Sequence, residues 1–267
     1  MYLGDVSWPE AGEYLTDGSL ALVPVGSTEQ HGPHLPLSTD HVIAEGLACA
    51  AADRGGFLCT PTVNIGVSPH HRQFYGTLSV DPPQFRDYVE SFSRSLVYQG
   101  IDRIVYVNAH GGNVDHLREV GRRLHTDGAA YAVEWMWDES IPELVDALFE
   151  RNGPHAGPKE TSMVWHLIDN VRADQLEAAR DGGLADLDDR ENVRNGARLY
   201  YDAIENSPNG GFGDPTDASA EKGERLFEAA CEQLLELCTW LDTRPRESLM
   251  PERHVREQGS PATDRPK

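Results

Sequence analysis

The chain has 267 residues, enough for one large α/β domain with a substantial core, although only 39% of them are hydrophobic. A formal net charge of −21 argues against a nucleic-acid partner, because phosphate backbones recruit basic patches. No run approaches the roughly 18 apolar residues that a membrane span needs, and MYLGDVSWPEAGEYL lacks the basic and apolar regions of a secretion signal, so a soluble, cytoplasmic protein with no membrane partner is expected.

Lys159, Lys222 and Lys267 are the only lysines; every other basic residue is arginine. The acidic excess reads as a solvated surface or, as we prefer, as adaptation to the high-salt cytosol of a halophile, where charges are screened over a few ångströms. Cys49, Cys59, Cys231 and Cys238 show neither a CxxC pair nor a zinc-knuckle spacing, and free thiols are expected.

LALVPV (20–25) is a short apolar run that predicts a buried strand, and a polar loop follows it. Thr39 and Asp40 open a helix closed by Gly55 and Gly56. FLCTPTV (57–63) predicts a second strand, and the irregular NIGVSPHHRQFYGT comes next. Pro82 and Pro83 start a helix whose Phe85, Tyr88, Val89, Phe92 and Leu96 recur at three- and four-residue steps until Gly100.

IDRIVYV (101–107) predicts a strand running directly into NAHGGN. A helix over 114–128, a strand over 129–135 and helices over 140–153 and 160–169 follow. Residues 171–219 are polar and carry no clear element beyond a short helix. A long amphipathic helix covers 220–244, and residues 245–267 read as a mobile tail behind a domain of residues 1–244. Alternating strands and helices imply a single three-layer α/β domain, a mostly parallel sheet with helices on both faces. Ligand sites in such folds collect at the carboxyl ends of the strands.

Three polar segments occupy such positions: EQHGPHLPLSTD (29–40), NAHGGN (108–113) and HAGPKETS (155–162). Each has a bland reading. Asp40 could cap the helix it opens, His110 could be a satisfied histidine in a tight turn, and Glu160 could simply favour a helix start. Taken together, Glu29, His31, Asp40, His110 and Glu160 form a carboxylate-and-imidazole set suited to zinc, manganese or iron. Five ligands exceed one open tetrahedral site and suit two divalent ions roughly 3.5–4 Å apart, bridged by a carboxylate and a water or hydroxide.

The string LVPVGSTEQHGPHLPLSTD, with NAHGGN and HAG-x-x-ETS behind it, resembles the creatininase family of metal-dependent amidohydrolases over about Leu20 to Leu167. The resemblance implies that Glu29, Asp40 and His110 bind one metal, and that His31, the shared Asp40 and Glu160 bind the second. It places His155 beside the substrate, where it either shuttles a proton to the leaving nitrogen, jointly with Glu160 as the catalytic pair, or only binds. It also implies a homohexamer and cleavage of a C–N amide bond, in a small molecule or a peptide, by a metal-bridged hydroxide. A non-catalytic, metal-stabilised scaffold is the alternative from another class.

Creatinine-cleaving members carry Tyr-Glu after the metal histidine, where this chain has Gly111-Gly112. That moves the expectation from creatinine towards HGGN-type relatives: a peptidase that trims a redox-cofactor precursor peptide, closer in wording, and a formamidopyrimidine nucleotide deformylase. Gly111, Gly112, Trp135 and Trp137 are the expected substrate-contacting residues.

Overall fold

The computed structural model describes residues 1–15, 20–180, 193–194, 197–198 and 200–250. Its centre is a four-stranded, all-parallel sheet in the order β2-β1-β3-β4, formed by β1 (Leu20–Val25), β2 (Leu58–Cys59), β3 (Arg103–Asn108) and β4 (Tyr131–Met136). β1 and β3 pair along their full length, from Leu20 opposite Arg103 to Val25 opposite Asn108. Both are buried throughout, which is why they read as continuous apolar runs and not as alternating ones.

The period of two reappears in the packing. Leu20, Leu22, Val105 and Val107 face one core, with α2 (Thr39–Gly55), α5 (Pro142–Leu148), α6 (Pro158–Leu167) and α9 (Ala220–Asp242). Ala21, Val23, Val25, Ile104 and Tyr106 face the other, with α3 (Pro82–Tyr98) and α4 (Val114–Thr126). The buried phenol of Tyr106 is satisfied by the Ser93 hydroxyl at 2.7 Å. Cys231 and Cys238 lie on the buried face of α9. The expected three-layer α/β domain is the one observed.

Several details differ from the sequence reading. The second strand is two residues long because Pro61 interrupts the ladder; the Val63 amide re-engages the Pro24 carbonyl at 3.0 Å. A helix over Trp8–Leu15 (α1) went unforeseen. Residues 171–219 contribute α7 (Leu176–Arg180), a pairing of β5 (Val193–Arg194) with β6 (Ala197–Arg198), and α8 (Ala203–Asn206). The expected tail begins with a helical turn, α10 (Arg246–Leu249), whose Leu249 is buried and whose carbonyl accepts from His125 Nε2 at 3.1 Å; residues 251–267 lie outside the described residues. Among the described residues no helix is long and apolar enough to cross a membrane.

Candidate metal centre

The loops after β1 and β3 meet at the carboxyl end of the sheet. Glu29 and His31 lie in the first, Asp40 in the opening turn of α2, and His110 two residues past β3. Glu160 sits in the first turn of α6, and His155 in the segment before it. Glu29, His31, Asp40, His110 and Glu160 are buried, and His155 is partly exposed.

Asp40 spans the cluster. Its Oδ1 lies 3.0 Å from His31 Nε2 and its Oδ2 3.3 Å from His110 Nδ1. Glu29 Oε1 is 3.3 Å from His110 Nδ1 and 3.8 Å from His155 Nδ1. Glu160 closes the other side, offering an oxygen in one group with His31 and His155 whose ligand atoms lie within 4.8 Å of one another. The Asp40 carboxylate makes no helix cap: Ser38 is the N-cap residue and the helix has no side-chain cap.

The outer contacts orient the rings. His31 Nδ1 donates to the Glu29 carbonyl at 3.2 Å, leaving Nε2 for Asp40. His110 Nε2 donates to the Val67 carbonyl at 3.0 Å, leaving Nδ1 for the carboxylates. Gly112 makes that bond possible, since a Cβ there would stand 2.2 Å from the Val67 oxygen and 2.4 Å from His110 Nε2. Nothing stands within 4 Å of a Cβ built on Gly111.

Electrostatics separate the groups. Burial would raise the Glu29 carboxyl, but His110, His71 and His155 outweigh it and hold it well below the usual carboxylate range. Burial would lower His31, yet Asp40 brings it up to about 9. His110 is likewise raised, burial being overcome by Glu29 and Asp40. Burial pushes Glu160 up to about 7 against the pull of His31 and Lys159. His155 is held well below the usual imidazole range by burial and by the neighbouring His31 and His71.

Both Glu29 carboxylate oxygens, Asp40 Oδ2 and His31 Nε2 are buried and make no well-formed hydrogen bond. Orphaned anionic oxygens are costly unless a cation meets them. Protonated rings partly fill that role here, and divalent ions bound to the same atoms would displace those protons. The oxygen and imidazole donors therefore fit zinc, manganese or iron.

A cavity of ≈ 290 Å³ opens above the cluster, lined by Glu29, His70, His71, His110, Gly111, Gly112 and His155, with Tyr201, Asn206 and Phe212 across from them. A second of ≈ 680 Å³ adjoins it through His70, Gly111, Gly112 and Tyr201, and extends to Arg72, Tyr200 and Asp202. Trp135 and Trp137 line neither. Trp137 is 1% exposed within the helix-facing core and Trp135 packs against that core from β4, so both fill interior space where the sequence reading had placed them at the substrate.

Sequence reasoning missed His70 and His71. His71 Nε2 lies 3.4 Å from Glu29 Oε1, and the His71 and His155 rings stack at 4.5 Å. A histidine doublet after Pro69, inside an irregular polar stretch, was the available signal. His34 belongs to the scaffold: its Nε2 donates to the Thr161 hydroxyl at 2.9 Å, and burial takes it down to about 4.

A parallel sheet with acidic and imidazole side chains gathered at its carboxyl end defines a candidate metal centre in a three-layer α/β protein. The chain belongs to the creatininase (creatinine amidohydrolase) family, whose model matches residues 4–238. It is similar to the mycofactocin precursor peptide peptidases of Mycobacterium ulcerans (35% identical over 235 residues, 84% of this chain and 86% of the relative) and Mycolicibacterium smegmatis (38% over 216 residues, 78% and 79%). Among solved structures, the manganese form of creatininase superposes with a TM-score of 0.76 at 23% identity, covering 91% of this chain and 99% of the other.

Proposed function

We propose that the chain is a two-metal amidohydrolase acting on a peptide-like, linear amide. The observation that carries this is the buried cluster of orphaned carboxylate oxygens and oriented imidazole nitrogens at the floor of an open cavity. The similarity to two precursor-peptide peptidases over most of the chain supports a peptide substrate over creatinine.

Glu29, Asp40 and His110 would hold one ion, and His31, Asp40 and Glu160 the other, with Asp40 common to both sets. When bound, such ions polarise an amide carbonyl and lower the pKa of a water towards neutrality. The protein's own part is geometric. The Val67 carbonyl fixes the His110 ring and the Glu29 carbonyl fixes His31, so neither ligand needs to reorganise as substrate arrives. His155, with Nδ1 facing Glu29 from the cavity wall, is placed to hold a proton and pass it to the leaving nitrogen. Gly111 leaves the cavity wall open to a chain of substrate.

The test is hydrolysis by zinc- or manganese-reconstituted protein, in concentrated KCl to match its charge, of short peptides, formamides and creatinine. Metal-dependent cleavage of a peptide is expected. Failure to cleave any amide with both metals bound would return the cluster to a structural role.

A further inference from the structure

Gln30 lies between the two ligand positions Glu29 and His31, yet it is neither charged nor a metal ligand by residue type. It is 5% exposed, and each of its polar atoms is engaged. The orientation of its amide follows from two backbone groups with only one role each. The Gly32 N–H donates to Gln30 Oε1 at 3.0 Å, and the Gly210 carbonyl accepts from Gln30 Nε2 at 3.0 Å. Exchanging oxygen and nitrogen would set donor against donor and acceptor against acceptor, so the amide has one assignment.

One amide hydrogen remains, and it points at His71 Nδ1, 2.7 Å away. That nitrogen must therefore be the acceptor. A neutral His71 then carries its proton on Nε2, 3.4 Å from Glu29 Oε1. The backbone of Gln30 fixes His155 by accepting where the side chain donates. Its carbonyl can only accept, and it lies 2.8 Å from His155 Nε2, so that nitrogen bears the proton and Nδ1 is bare. The 3.0 Å approach of Gln30 Nε2 to His155 Nε2 is then a contact between groups whose hydrogens are committed elsewhere.

We propose that Gln30 is a positioning residue that holds both cavity histidines as the Nε2–H tautomer through opposite contacts, its side chain donating to His71 and its carbonyl accepting from His155, so that His71 turns an N–H and His155 a bare Nδ1 towards Glu29. Two consequences follow for the site. His71 Nε2 is a hydrogen-bond donor and not a metal ligand, so Glu29, His71 and His155, although grouped within ligand distance, do not form a third metal site. His155 Nδ1 is the nitrogen that receives a proton, which gives the shuttle a defined atom. The tautomers stand independently of the hydrolase reading; their catalytic consequence rests on it.

Magic-angle-spinning ¹⁵N NMR of histidine-labelled, metal-free protein reads the tautomers directly at any assembly size, with His71→Gln and His155→Gln identifying the signals. Expected are an unprotonated Nδ1 on both rings, His71 held to it by the Gln30 side chain. Gln30→Glu is nearly isosteric but offers an acceptor where the amide offered a donor, so His71 should move its proton to Nδ1 while His155 keeps its own. On the best amide substrate that variant should lose roughly 10- to 100-fold in kcat with little change in KM, and zinc content should stay at the wild-type value in both Gln30→Glu and His71→Ala. A wild-type His71 protonated on Nδ1, or a Gln30→Glu spectrum with His71 unchanged, overturns the proposal, as does loss of an ion from His71→Ala. Should wild-type protein cleave no amide, the functional reading fails while the nitrogen spectrum still decides the tautomers.

Discussion

Gly26 and Asp40 approach so closely that a Cβ on Gly26 would lie 2.7 Å from the Asp40 carbonyl carbon and 2.4 Å from the His41 amide nitrogen. The end of β1 thus abuts the first turn of α2, and that abutment places the Asp40 carboxylate at the carboxyl end of the sheet. Gly26→Ala should push α2 away, costing on the order of 1–3 kcal/mol in stability as overpacking does. Urea unfolding measures the first effect. Zinc content after dialysis measures the second, and it should fall below that of the wild type. Unchanged metal content would show that the ligand set tolerates a shifted helix.

Asp40 itself gives a sharper prediction. Because its oxygens face His31 and His110 separately, Asp40→Ala should lose both ions, whereas a ligand to one ion would lose one. Elemental analysis of the purified variant reports the stoichiometry. Two retained ions per chain would remove Asp40 from the shared position.

For His155, the expected outcome of His155→Ala is a rate lower by roughly 10²- to 10⁴-fold with metal content intact. Rate and stoichiometry must be measured on the same preparation. Loss of metal would make His155 a ligand, consistent with its place near His31 and Glu160, and an unchanged rate would leave it as a wall of the cavity.

Much of this site was legible because its parts sit in short Gly- and Pro-punctuated segments directly after apolar runs. Glu29 and His31 follow β1, His110 follows β3, and His155 and Glu160 flank the start of α6. His70 and His71 follow no strand; they reach the site because the chain returns through Val63 and Ser68, contacts far apart in sequence. Gln30 carried no signal because an amide between two ligands looks like any polar loop residue. The tryptophans misled for a related reason: aromatic side chains near strand ends serve cores as readily as pockets, and packing alone decides. α1 was readable, since Ser7-Trp-Pro-Glu10 is a capping-box pattern, and the Ser7 amide does donate to Glu10 at 2.7 Å.

The thiols offer a check on the packing of α9. Burial pushes both Cys231 and Cys238 up to about 12, so at pH 8 only roughly one in ten thousand of either would be thiolate. Cys49 is half-buried, and its Sγ lies 3.6 Å from Cys59 Sγ. A thiol reagent should therefore label Cys49 first in native protein and reach Cys231 and Cys238 only on unfolding. Rapid native labelling of Cys231 would contradict the buried face assigned to α9.

Substrate choice turns on the two glycines after His110. The sequence reading placed both in contact with substrate, but their surroundings differ. A side chain at Gly112 would collide with the Val67 carbonyl that orients His110, so this glycine serves the metal ligand; Gly111 faces open space and lines both cavities. A glutamate at position 112 therefore cannot be added without displacing the contact that holds His110. The space above the ligand cluster stays correspondingly wide, with ≈ 290 Å³ over the cluster and ≈ 680 Å³ adjoining it. A small cyclic amide such as creatinine would bury little of its surface there, whereas a peptide could fill both cavities and reach Tyr201 and Arg72. Comparison of kcat/KM should rank a short peptide above creatinine by at least about 10²-fold, equivalent to roughly 2.7 kcal/mol of transition-state binding. Gly111→Val, which narrows the passage without touching Val67, should reduce peptide turnover while leaving metal content unchanged. Creatinine turnover at the level of the best peptide would overturn the preference and leave the two-metal assignment to stand on its own measurements.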